Sequence, residues 1–399
     1  MTGRPAPEPF AFHVMLKPQG ALCNLACRYC YYLGKETLYP GVDPRMDGAV
    51  LETLTRQYIE AQRAPEVTFS WQGGEPLLAG LAFYEQAVAL QQVHRKPGMR
   101  IQNAIQTNAT LLNDAWCRFF REHGFLVGVS LDGPEACHDA YRVDKGGRPT
   151  FERAMAGLGL LREHLVQVNL LTTVHAANAG RPLEVYRFLR DVVGAQFIQI
   201  IPIVEWEGSS RERGRVTERS VSGRQLGSFL ISIFDEWVRR DVGRVYVQLF
   251  DAALAAWLGE PAGLCTMSEI CGDALALEHN GDLYACDHFV EPAHRLGNIL
   301  ETPLVEMVRS EAQRRFGLDK RDMLPRACRV CDVRFACNGE CPRNRLGPAG
   351  PKPELNVLCE GYKAFFRHVG PPMRFMAAAI RAGRPPASIM AYLARGGRL

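Results

Sequence analysis

A chain of 399 residues, 47% apolar and 23% charged, is long enough to bury a large core in two or three domains. Its 47 basic and 43 acidic residues leave a net charge of only +4, which excludes the dense basic surface that nucleic-acid phosphates require. The N-terminal MTGRPAPEPF lacks the apolar core of a secretory signal, and no apolar run approaches the roughly 18 residues of a membrane helix, so a cytoplasmic protein with no membrane partner is expected.

Residues 1–10 are Pro-rich and are expected to be disordered. From residue 11 to about 204 short apolar runs alternate with amphipathic segments, in a unit expected to span 11–224. The strand candidates are His13–Lys17, Val67–Trp71, Ile101–Gln106, Leu126–Leu131, Gln167–Val174 and Phe197–Val204. Between them lie helical patterns at Gly48–Arg63, Leu81–His94, Asp114–His123, Phe151–His164 and Leu183–Val193. Six such units predict an α/β fold, a parallel sheet with right-handed crossovers closing into a partial (β/α)6 barrel. In such barrels the working groups stand at the C-terminal ends of the strands. There the sequence places GALCNLACRYCYY, WQGGEP, QTN and SLDGP, after the first four strands in turn.

The charged, breaker-containing segment Glu205–Gly223 ends this unit. A helical linker spans 225–264, with Gln225–Arg240 as its helix, and a cysteine-rich module is expected over 265–368. Within the module ALALEHNGDLYACDHF alternates around Asn280-Gly281, which predicts a β-hairpin with a two-residue turn. Residues 369–399 read as a helical tail.

Thirteen cysteines in a chain without an export signal point to metal or redox chemistry rather than disulfides. Cys23, Cys27 and Cys30 stand as C-x3-C-x2-C. Three thiolates on a four-iron cubane leave one iron open to a ligand that is not protein. Cys265, Cys271, Cys286, Cys328, Cys331, Cys337, Cys341 and Cys359 supply eight further thiolates, the complement of two cubanes, although tetrahedral zinc uses the same C-x2-C knuckle. A zinc-ribbon binding protein would be colourless, whereas three iron clusters make a brown one. Cys117 and Cys137 remain, and Cys117 reads as a packing thiol on a helix face.

The first spacing resembles that of the radical S-adenosylmethionine (radical SAM) enzymes. The resemblance implies that the cofactor's amine and carboxylate chelate the open iron, with Tyr29 near the adenine and Gly73, Gly74 and Glu75 receiving the amino end. It also implies that Ser130 and Arg142 hold ribose and carboxylate, and that Val204 lies on the adenine. The second set resembles the SPASM domain of peptide-modifying radical enzymes. That likeness implies an inner auxiliary cluster on Cys265, Cys271, Cys286 and Cys341 and an outer one on Cys328, Cys331, Cys337 and Cys359.

More narrowly, FHVMLKPQGALCNLACRYCYY, WQGGEPLLAGLAFYEQ, IQTNATLLNDAW, LYACDHFV, RLGNI and the whole cysteine spacing resemble the anaerobic sulfatase-maturating enzymes, from about residue 11 to about 368. Ala109 stands where that family usually has Gly, and the tail beyond 370 matches nothing useful. The resemblance implies three [4Fe-4S] clusters, S-adenosyl-L-methionine, and oxidation of a Cys or Ser in an unfolded or nascent sulfatase polypeptide to Cα-formylglycine. A flavodoxin- or ferredoxin-type electron donor is implied with it. Asp287, directly after Cys286, is the expected proton acceptor, and Tyr32 and Gln72 are expected peptide contacts. The nearest alternative is another SPASM maturase that forms a thioether or carbon-carbon cross-link.

Overall fold

The computed structural model describes residues 12–207, 215–345 and 355–398. The disorder expected for residues 1–10, and part of the segment expected to close the first unit, lie outside them.

Six strands follow one another in the sheet as they do in the chain: β1 (His13–Leu16), β2 (Glu66–Trp71), β3 (Arg100–Thr107), β4 (Leu126–Ser130), β5 (Gln167–Val174) and β6 (Phe197–Pro202). Every neighbouring pair among them is parallel, and β1 does not pair with β6, so the barrel stays open. A two-residue strand, β7 (Tyr246–Val247), extends the β6 edge.

Crossover helices cover the strands for ordinary reasons of pattern and capping. In Gly48–Ala61 the buried residues Val50, Leu51, Leu54, Tyr58 and Ile59 recur at helical spacing. Asp47 caps this helix by accepting the Val50 N–H at 2.8 Å. The expected helix Leu183–Val193 is two pieces, an α-helix Pro182–Arg187 and a π-helical turn Phe188–Val192. The wider turn lies where Arg190 bonds both Glu236 and Asp241, an interaction that hydrophobic spacing does not reveal.

The cysteine-rich segment joins the same sheet. Strand β8 (Ala274–Leu277) pairs parallel with β1, from His13↔Ala274 to Leu16↔Leu277, and β9 (Asp282–Tyr284) and β10 (Arg295–Asn298) continue it antiparallel. The hairpin turn has three residues rather than the expected two. Glu278 N bonds Asp282 O at 2.9 Å across His279, Asn280 and Gly281, and Gly281 takes the left-handed conformation at φ +90°. Asn-Gly therefore supplies the last two positions of a three-residue loop.

The helix Gly223–Arg240 begins at a capping box between Ser222 and Gln225. It packs on Cys359–Arg381, a helix that runs unbroken across residue 369. Glycines set their approach, since a Cβ on Gly361 would stand 2.0 Å from Gly223 O. No helix among the described residues is long and apolar enough to cross a membrane.

Candidate functional site

The first cysteine loop leaves β1 and is sewn to the segment after β4. Ala26 N bonds Val143 O at 2.8 Å, Arg28 N bonds Tyr141 O at 2.9 Å, and Leu25 bridges Asp144. On its other side Glu75 N bonds Leu22 O at 2.8 Å. Two glycines make that contact possible: Gly73 and Gly74 are left-handed at φ +91° and +48°. A Cβ there would stand 2.2 Å from Lys17 Cδ and 2.0 Å from Leu22 O respectively. Only glycine allows the turn after β2 to lie this close to the cysteine loop.

The Glu75 carboxyl is buried and accepts from Leu77 N, Thr107 Oγ1 and Asn108 N at 3.1, 2.8 and 2.9 Å. Burial pushes it up to about 7 against those donors. Its side chain thus anchors the turn, and backbone is what the two glycines offer. Asn24 and Asn108 also join the loop to β3: Asn108 Nδ2 donates to Asn24 Oδ1 at 2.9 Å, and Asn24 Nδ2 to Thr110 Oγ1 at 2.8 Å.

Tyr29, between the last two cysteines, is buried and donates its hydroxyl to Asp132 while accepting from Thr173 at 3.0 Å. Its ring stacks on His175 at 5.7 Å. Arg142 grips the same Asp132 through Nε and Nη2 at 2.8 and 3.1 Å. Burial opposes the charge on Asp132, yet Arg142 and His175 hold its carboxyl well below the usual range. Both Tyr29 and Arg142 are therefore committed to a buried carboxylate whose importance the sequence did not announce. Ser130 Oγ accepts from Gln106 at 3.0 Å, and Val204 packs partly buried against the core just beyond β6.

Asp287 follows β9 and is buried beside β1. It pairs with Lys17 and accepts the Tyr31 hydroxyl. Burial raises its affinity for a proton, but Lys17 foremost, then His288 and Tyr31, hold the carboxyl below its ordinary range. Lys17 is fully buried, with its ammonium 4.4 Å over the Tyr32 ring. Tyr32, expected at the peptide, is 3% exposed with its hydroxyl on Glu278, while Tyr31 is 46% exposed. Only an alternation signal could have separated these two tyrosines, and an irregular loop carries none. Gln72 is half-buried, fixed by its N–H on Leu16 O at 2.8 Å.

The remaining cysteines fall into two groups by mutual influence. Cys271 feels Cys265, Cys286 feels Cys265 and Cys271, and Cys341 feels Cys286 and Cys271. Separately, Cys328 feels Cys359 and Cys331, Cys337 feels Cys359 and Cys328, and Cys359 feels Cys331. The second group lines one cavity of about 120 Å³. Cys117 is fully buried on the helix Asp114–Glu122, and Cys137 is buried with its sulfur 3.5 Å from Arg181.

The chain matches the family models for the radical SAM superfamily over residues 20–189 and for an iron-sulfur cluster-binding domain over residues 265–332. It is 47% identical to the serine-type anaerobic sulfatase-maturating enzyme of Bacteroides thetaiotaomicron, over 97% of each chain. It belongs to the anaerobic sulfatase-maturating enzymes. The cysteine-type anaerobic sulfatase-maturating enzyme of Clostridium perfringens (strain 13 / Type A) is 30% identical over 92% of this chain and 99% of its own. The fold superposes on native anSMEcpe with bound AdoMet and Cp18Cys peptide at a TM-score of 0.83, with 30% identity, over 92% of this chain and 99% of that one.

A maturase of this family works with three [4Fe-4S] clusters and S-adenosyl-L-methionine. The thiols suit that demand. Burial pushes Cys23 up to about 12, Cys27 to about 11, and Cys286 and Cys337 to about 12. Such thiols give up their protons to iron, whose positive charge replaces the lost hydration. The sequence reading missed Lys320, Glu340 and Arg345, which lie among the auxiliary cysteines. A buried Lys in a helix of polar composition leaves no mark in a hydrophobic pattern.

Proposed function

We propose that this sulfatase maturase acts on serine. The observation that carries the choice is its 47% identity to a serine-type enzyme over nearly the whole of both chains, against 30% for a cysteine-type one. The reaction oxidises the target residue of a sulfatase polypeptide to Cα-formylglycine.

When bound, the first cluster and S-adenosylmethionine supply a 5′-deoxyadenosyl radical that removes a hydrogen atom from the target Cβ. Cys23, Cys27 and Cys30 hold that cluster, with Gly73 and Gly74 giving close backbone approach beside it. Tyr29, Ser130, Arg142 and Val204 form the wall around the cofactor, and Asp132 keeps Tyr29 and Arg142 in place. Asp287 takes the hydroxyl proton of the substrate. Loss of hydrogen from Cβ makes that hydroxyl far more acidic, so a carboxylate of low basicity suffices. Lys17 keeps Asp287 ionised, and Tyr31 together with Gln72 faces the peptide. The eight remaining thiolates would hold two auxiliary clusters, which would supply an acceptor for the substrate's electron. Cys265, Cys271, Cys286 and Cys341 serve the inner one; Cys328, Cys331, Cys337 and Cys359 serve the outer one. A flavodoxin- or ferredoxin-type protein of the cytoplasm would be the external electron donor.

The test uses paired synthetic peptides carrying Ser or Cys in a Cys/Ser-x-Pro/Ala-x-Arg motif, incubated anaerobically with reconstituted enzyme, S-adenosylmethionine and reductant. The Ser peptide should lose two hydrogen atoms by mass spectrometry. Conversion of the Cys peptide alone would overturn the serine assignment.

A further inference from the structure

Between Cys337 of the outer set and Cys341 of the inner set the chain makes an unusual turn. Asn338, Gly339 and Glu340 are all left-handed, at φ +46°, +75° and +52°. A non-glycine residue held there costs of order 1–3 kcal/mol, and such strain persists where the surroundings impose it. What the turn admits is Arg345. A Cβ on Gly339 would stand 2.9 Å from Arg345 Nη2 and 2.4 Å from Leu324 Cδ2.

Arg345 donates from Nη1 to Lys320 O at 2.8 Å, while Nη2 is buried with no hydrogen-bond partner among the described residues. Burial opposes the charge on Arg345, and the acidic groups set against that are Cys328 of the outer set, Cys271 and Cys341 of the inner set, and Glu340. Lys320, 1% exposed, bonds Cys265 O and Thr266 O at 2.7 and 3.0 Å; burial opposes its charge, and the acidic groups set against that are Cys271, Cys341 and Cys265, all inner, and Glu340. Glu340, buried in the same space, accepts from the amides of Asn344 and Asn356 at 3.0 and 2.6 Å and sets beside both cations a carboxyl that burial pushes toward its neutral form.

We infer that Arg345 is a positioning charge shared by the two auxiliary clusters, which stabilises on both of them the electron taken from the substrate, whereas Lys320 acts on the inner cluster alone. This rests on the reading of the eight thiolates as two clusters. The substrate radical becomes the aldehyde by giving its hydroxyl proton to Asp287 and one electron to the auxiliary pair, so the site must accept an electron without a proton beside it. A fixed cation in a low-dielectric interior serves that purpose, and charge around a cluster is one of the protein's levers on its potential.

The experiment is an EPR-monitored redox titration of anaerobically reconstituted wild type, R345Q, R345M, R345K and K320M, with iron counted in each. In R345Q and R345M both auxiliary midpoints should fall by at least a tenfold loss of electron affinity, about 59 mV for a one-electron couple, with the first cluster unmoved. K320M should shift one auxiliary midpoint only, and R345K should stay near wild type. More 5′-deoxyadenosine should form per formylglycine in the neutral Arg345 variants. Unmoved auxiliary midpoints at full iron content would overturn the proposal. So would loss of auxiliary iron in both neutral variants with retention in R345K, since Arg345 would then be purely structural. Wild-type protein holding well under about twelve irons would instead remove the two-cluster reading on which the proposal stands.

Discussion

The buried ammonium of Lys17 meets the carboxylate of Asp287 because the strands that carry them flank a third. Lys17 follows β1, Asp287 follows β9, and β8 pairs with both. The pair is thus made by the hairpin's docking on the barrel edge, which brings Asp287, the proposed proton acceptor, beside the end of β1 from which the first cysteine loop leaves. Removing one partner of such a pair leaves an uncompensated buried charge, a loss of about 3–5 kcal/mol. In K17M the carboxyl should be protonated and useless as a base. D287N should lower formylglycine formation by roughly 10²–10⁴-fold, the usual contribution of general base catalysis, with K17M at the lower end of that range. Both variants should still cleave S-adenosylmethionine. Quantifying 5′-deoxyadenosine and product peptide in one reaction separates the two steps; equal loss of both would place Lys17 and Asp287 in cofactor binding instead.

Gly74 gives a second prediction. Its φ is +48°, and a Cβ on it would stand only 2.0 Å from Leu22 O, which leaves no room for alanine. G74A should push the turn after β2 away from the first cysteine loop and weaken S-adenosylmethionine binding at least tenfold. The auxiliary thiolates come from residues 265–359, outside the two loops this change moves, and should keep about eight irons of about twelve. Iron analysis with equilibrium dialysis of labelled cofactor checks this, and unchanged affinity would mean the loop adapts without the close approach.

Much of the fold was legible because its signals are local. Alternation and helical spacing placed all six barrel strands to within a residue or two, and the cysteine spacings marked a set of three and a set of eight, while the division of the eight into two ligand groups came from the resemblance to the SPASM domain. What escaped was set by contacts distant in sequence. Nothing in LALEHNGD tells that β8 lies beside β1, so neither the Lys17–Asp287 pair nor the burial of Tyr32 could be read. Asp132 lay inside the SLDGP motif, yet its grip on Tyr29 and Arg142 depends on packing between β4, β5 and the cysteine loop. The polar residues among the auxiliary cysteines escaped for the same reason.

Ala109 provides a prediction about stability alone. It is buried and left-handed at φ +63°. A left-handed alanine costs roughly 1–2 kcal/mol, and glycine returns part of that through the greater freedom of its unfolded chain. A109G should therefore be more stable by about 0.5–1 kcal/mol with turnover unchanged. In a thermal melt of the anaerobic holoenzyme the midpoint should rise by about 1–3 °C. A lower midpoint would show that the Ala109 methyl, packed in the core, contributes more than its backbone costs.

His138 sets a limit on acid tolerance. It is buried on the short helix Glu135–His138, with Nε2 3.0 Å from Thr150 Oγ1. The Thr150 hydroxyl already donates to Arg142 O, so the imidazole is the donor and carries its proton on Nε2. Burial, with the Arg142 charge beside it, lowers this histidine from 6.5 to about 4. The unfolded chain takes up a proton below pH 6.5 that the folded one refuses until about pH 4. Stability from this group is therefore complete above pH 6.5 and lost as the pH falls toward 4, with about 2 kcal/mol gone by pH 5. H138Q keeps an N–H for Thr150 and cannot ionise. Denaturant titrations of both proteins at pH 7 and pH 5 should show wild type losing about 2 kcal/mol more than H138Q over that interval. An equal loss in both would mean that the imidazole ionises as readily in the fold as in the open chain, and that neither its burial nor Arg142 is felt.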